Sequence, residues 1–170
     1  MTIEQLRAEV EEKINAIDYK WQDTETNVRL MNEIRENVDS IPNIPSAKHI
    51  AEVAVACGEY LQLRDFVLGL YVEKPKDKVI AYLALLLDIL DKENSVALLT
   101  ILSSYMYEMN KPGTAREYLD TVLEIDPDYA LANLLDRVYA AEWDPRMLTD
   151  MSQRLHPTVV KTIETGLAII

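Results

Sequence analysis

Apolar side chains recur at every third or fourth position through most of this chain. In the first segment they are Leu6, Val10, Ile14, Ile17 and Trp21, and in the second Val28, Met31, Ile34 and Val38. Those steps match the 3.6-residue period of an α-helix, which gathers such residues onto one face. Strand signals are missing: there is no long apolar–polar alternation, no Asn-Gly or Asp-Gly hairpin turn, and one Phe in 170 residues. The spacing therefore predicts an all-α fold built from stacked antiparallel helical hairpins, an irregular α-solenoid.

Proline and glycine divide this pattern. Thr24 is the expected N-cap of the second helix. Pro42 and Pro45 then break the helical pattern, because neither fits a helix interior and each biases its preceding residue toward extended backbone. The expected organisation is an acidic helical hairpin over residues 1–40, a Pro-containing linker over 41–47 and a helical repeat-like domain over 48–170. The two N-terminal stripes face each other or a second copy, so a homodimer through these helices is one expectation. Ser46 is placed to cap a third helix running through His49, Val53 and Ala56 to Gly58. Later helices are expected from about Leu61 to Leu70, Asp77 to Leu90 and Ser95 to Met109. Further helices follow the Asn110-Lys111-Pro112-Gly113 turn, the Asp126-Pro127 step and the Asp144-Pro145 step. His156-Pro157 is expected to end a short ninth helix and start a last one reaching Ile170.

The stretch from Val96 to Pro127 resembles one tetratricopeptide repeat, a helix-turn-helix unit. Leu99, Leu102, Ser103, Met106, Ala115, Leu119, Val122 and Pro127 fall on the family's pattern positions. Ser103 stands where that pattern has Gly, and Val122 where it has Ala. The next unit would place Asp136 at a leucine position, so the resemblance covers a single hairpin. It implies that Ala97, Thr100, Ser104, Tyr107 and Glu108 face a ligand groove. A second resemblance is carried by Thr114–Pro145, TAREYLDTVLEIDPDYALANLLDRVYAAEWDP, and by Leu63-Arg64-Asp65-Phe66-Val67-Leu68. From about Lys48 to Leu155 the chain is similar to an uncharacterised actinobacterial domain-of-unknown-function family. That similarity implies an actinobacterial or actinophage origin and no particular chemistry.

Charge narrows the function. The chain has 29 Asp and Glu against 17 Lys and Arg, a net charge of −12. Direct nucleic-acid binding needs clustered cations and is not expected. The N-terminus lacks the basic and apolar regions of a secretory signal. The most apolar stretch, Val79 to Leu90, is interrupted by Asp88 and is shorter than the ~20 residues of a membrane span. The expected setting is cytoplasmic, with no membrane association.

Catalytic motifs are sparse. His49 and Glu52 share a helix face, but no second His follows at metal-ligand spacing. Cys57 lies eight residues from His49, about 12 Å along a helix and too far for a nucleophile–base pair. Asp126-x-Asp128 starts like a calcium loop, but the later ligand positions are Ala130 and Arg137. No phosphate-binding glycine motif is present. The expectation is therefore no enzyme, no metal and no cofactor.

The leading expectation is a non-enzymatic protein-interaction module that binds a peptide or helix of a cytoplasmic, basic protein partner. For a phage protein that partner belongs to the host. The expected partner-binding residues are Thr100, Ser104, Tyr107, Glu108, Tyr139 and Trp143, because aromatic groups with polar tips favour interfaces. Two alternatives stand beside it: an acidic decoy that occupies the nucleic-acid-binding surface of a host protein, and an enzyme with carboxylate or Tyr chemistry.

Overall fold

The computed structural model describes residues 1–166. Among these the chain forms nine α-helices: α1 (Ile3–Ala16), α2 (Thr24–Asp39), α3 (Ala47–Glu59), α4 (Leu61–Leu68), α5 (Lys76–Ile89), α6 (Val96–Glu108), α7 (Pro112–Ile125), α8 (Ala130–Ala140) and α9 (Pro145–Thr165). A 3-10 turn over Leu70–Val72 joins α4 to α5. The fold is all-α.

Local chemistry sets the helix ends. Thr2 and Gln5 form a capping box at α1: the Thr2 hydroxyl accepts from the Gln5 amide at 3.1 Å, and the Gln5 side chain accepts from the Thr2 amide at 2.7 Å. Ser46 caps α3 as expected, accepting from the His49 amide at 3.1 Å. At α2 the cap is Asp23 rather than Thr24. Its carboxylate takes both the amide and the hydroxyl of Thr26, at 3.2 and 2.7 Å, and adds negative charge at the positive end of the helix. The α6–α7 turn is closed by Asn110 at φ 60°. The Lys111 amide reaches the Met106 carbonyl at 2.9 Å and the Asn110 amide reaches Tyr107 at 3.0 Å, a Schellman ending in which Asn tolerates left-handed backbone.

Helix α6 is the centre of the molecule, with eleven of its thirteen residues buried. Helix α7 pairs with it as a hairpin; α3, α4, α5 and α9 close around the rest. Tyr105 and Tyr82 are fully buried within this core, and the Tyr105 hydroxyl donates to the Val67 carbonyl at 2.6 Å.

The N-terminal helices are not a separate hairpin. Helix α1 lies on α3 and α5, and α2 packs against α3, α4, α5 and α9. Leu6, Val10, Leu30, Met31, Ile34 and Val38 are buried in the same core as Ile50, Leu63 and Leu83. The physical reason is area. Each of these side chains gains about 1.5–3 kcal/mol on full burial, and the α3/α5 surface offers more apolar partners than one opposing stripe. The segment 41–47 is thus a short connection inside one body. On the faces expected to form a dimer, Leu6, Val10, Met31, Ile34 and Val38 are buried within the chain, Ile14, Ile17 and Val28 are half-buried, and Trp21 is exposed.

The C-terminal part differs too. One helix, α9, runs through Pro157 without a break. A proline there removes a hydrogen bond to the Gln153 carbonyl and costs about 3 kcal/mol. Burial of His156, Val159, Thr162 and Ile163 against α2 and α4 offsets that cost. The expected last turn up to Ile170 lies partly outside the described residues.

Candidate functional site

The six residues expected to meet a partner are mostly inside. The Thr100 hydroxyl donates to the Val96 carbonyl at 2.7 Å, and Ser104 is buried one turn on. Tyr107 stacks on Tyr139 with ring centroids 4.4 Å apart and donates its hydroxyl to the Trp143 carbonyl. The Tyr139 hydroxyl in turn meets Ser103 at 2.9 Å, and burial pushes its phenol up to about 12. The Glu108 carboxylate accepts from Tyr71 at 2.6 Å and from Thr149 of α9 at 3.0 Å. Its burial raises the carboxyl pKa, partly opposed by these two donors. Trp143 alone of the six keeps an exposed ring, at 38%. The cause is that α9, the 3-10 turn and α8 fill the space along α6 that the repeat resemblance left open to a ligand.

A second polar seam holds α9 down. Arg35 makes a two-pronged contact with Glu73 at 2.8 and 2.9 Å, and His156 Nε2 meets the same carboxylate at 2.6 Å. Burial of Glu73 opposes ionisation, but these partners outweigh it and hold its carboxyl below the usual range. The His156 ring stacks on Phe66 at 5.4 Å, and Nδ1 has no hydrogen-bond partner. This seam binds the chain to itself.

His49 is also structural in its surroundings. It is buried with Nε2 2.7 Å from the Tyr82 hydroxyl. Burial lowers its pKa to about 4; Arg29 also lowers it and Glu52 works the other way. Glu52 itself is drawn to Arg29 at 2.7 Å rather than to the imidazole. Cys57 is fully buried, and its thiol is pushed up to about 12 by that burial. Among the described residues no three His, Cys, Asp or Glu side chains are grouped to hold a metal ion. No helix among them is long and apolar enough to cross a membrane.

Open surface lies elsewhere, along α1. One cleft of about 300 Å³ runs between α1 and the end of α5, floored by Val10, Ile14, Ile89 and Leu90. A second, of about 490 Å³, continues from Ile14 and Asn94, which line both. Its floor is Ile17 at the end of α1, Ala54 and Val55 of α3, and Val96 and Ala97 of α6. Together they make one groove with an apolar base. Its rim is acidic: Glu11, Asp88 and Asp91 stand along the first part, and Glu59, Glu93 and Asp126 along the second. Among the described residues none of these six carboxylates is in an ion pair. Among the described residues Arg7 is the one cation lining the groove, and its guanidinium donates to the Asp88 carbonyl at 2.9 and 3.2 Å.

On the other side of the α1–α2 loop is a cleft of about 580 Å³ with Lys13, Lys20, Arg29 and Lys48 on its walls, beside Asp18, Asp23 and Glu52. Met147, Met151 and Leu155 form a short exposed stripe on the outer face of α9.

A family model described as Domain of unknown function (DUF4192) matches residues 2–146. The chain belongs to that family. The DUF4192 match takes in α1 and α2 and stops at the first turn of α9, so it starts well before the Lys48 expected from the sequence and ends before Leu155. The groove along α1 lies wholly within it. No curated protein and no solved structure matches the chain.

The groove residues carry no motif. They come from α1, α3, the end of α5, the α5–α6 connection, the start of α6 and the segment before α8. The closest local signal was the acidic run Asp88, Asp91 and Glu93 flanking a helix break, together with Val55, an apolar residue left half-exposed on α3.

Proposed function

We propose that the protein is a non-enzymatic protein-interaction module of the DUF4192 family whose docking surface is the groove along α1. One observation carries the reading. Apolar side chains of α1, α3 and α6 line an open groove of two joined clefts, while the polar clusters elsewhere are consumed by contacts within the chain. A groove with an apolar floor and a polar rim has the anatomy of an interface that receives a peptide or a helix. His49, His156 and Cys57 are buried, which supports a binding rather than a turnover role.

Selection of a displayed library of random 12-residue peptides on the full chain tests this. Enriched peptides are expected to compete for one site and to lose binding when Val55→Arg places a charge on the groove floor. An empty selection, or peptides indifferent to Val55→Arg, would refute the proposal.

A further inference from the structure

We infer that the occupant of the groove is a cationic amphipathic helix of about three turns, contributed by a partner protein. The inference rests on the interaction-module reading and adds the chemistry of the ligand.

Length follows from geometry. The groove follows α1 from Arg7 to Ile17, ten steps along the chain, or about 15 Å of helix rise. A ligand helix of ten to twelve residues spans that distance with apolar side chains at i, i+3, i+4 and i+7.

Charge selects the sign. Three carboxylates stand along each half of the groove, and the single cation between them is turned toward a backbone carbonyl. Glu11, Glu59 and Glu93 make no side-chain hydrogen bond and no ion pair within the described residues, and all three are exposed. Carboxylates lining an apolar floor repel an anionic ligand and favour one whose Lys and Arg flank its apolar stripe.

The test uses the full chain and three synthetic helical peptides that share leucines at i, i+3, i+4 and i+7. Their remaining positions are Lys and Arg, Gln, or Glu. Binding is read by fluorescence anisotropy at about physiological salt, where the screening length is roughly 8 Å. The cationic peptide is expected to bind at least about tenfold more tightly than the Gln peptide, and the Glu peptide to be weakest. Reversing Glu11, Glu59 and Glu93 to Lys is expected to weaken the cationic peptide by about tenfold or more. Reversing Glu117, Glu124 and Glu164, exposed residues outside the groove, changes net charge equally and is expected to alter binding less than about threefold.

Equal losses in the two reversal variants would overturn the inference by reducing it to attraction to net charge. Equal binding of the cationic and Gln peptides, both abolished by Val55→Arg, would overturn the cationic assignment and leave the docking groove standing. No binding by any of the three would count against groove and ligand together.

Discussion

Lowering the pH should destabilise this protein through His49 by an amount the structure sets. The imidazole is buried between α3 and α5, its Nε2 engaged by Tyr82, and burial lowers its pKa to about 4. Unfolded, it titrates near 6.5. Between these values the unfolded chain binds a proton that the folded chain refuses. Stability is therefore full above about pH 6.5 and is lost as pH falls toward 4. At pH 5.5 almost every folded molecule still carries neutral His49, so the loss depends on the unfolded value and comes to about 1.4 kcal/mol relative to pH 7.5. That pH also stays above the pI of about 4.6, where the chain keeps negative charge.

His49 is not the only group that links folding to protons. Glu108, with its raised carboxyl pKa, gains stability as pH falls and so runs the other way. The informative quantity is thus a difference. His49→Gln leaves a polar atom for the Tyr82 hydroxyl and cannot be protonated, while Glu108, Glu73 and the rest are common to both proteins. Urea unfolding of both at pH 7.5 and 5.5 should show the wild type losing about 1.4 kcal/mol more than the variant. An equal change in both would refute a neutral, buried His49.

Other substitutions probe the helix ends and the α9 seam. Pro157→Ala restores the missing amide to an exposed site in α9 and should raise stability by about 2 kcal/mol, net of the looser unfolded chain, by denaturant melt. Glu142 closes α8 at φ 52°, so Glu142→Gly should raise stability by about 0.5–1 kcal/mol; a loss would mean that its side chain matters more than its backbone. At Gly69 an added Cβ would sit 2.8 Å from His156 Nδ1, against a ring pinned by Glu73 and Phe66. Gly69→Ala should cost about 1–3 kcal/mol, and weakened amide protection should concentrate in α9.

Period and punctuation determined the local structure. A stripe every third or fourth residue yields a helix because the backbone geometry is local, and Ser46, Asn110 and Asp144-Pro145 act on amides and carbonyls within a few residues. All of that is written in neighbouring residues, as are the net charge and the absence of nucleotide-binding glycine motifs. Tertiary structure decided what each stripe meets. The pattern Leu6, Val10, Val28, Met31 says that a face is buried, and is equally satisfied by a hairpin, a second copy or the body of the same chain. Hydrophobic burial has no direction, so it selects the arrangement that removes the most apolar area from water. The same indifference let α9 run through Pro157 and, with α8, pack along α6, where Thr100, Ser104, Tyr107 and Glu108 are buried. The groove along α1 is what remained open, assembled from carboxylates and apolar residues that are distant in the chain and adjacent only once the helices have settled.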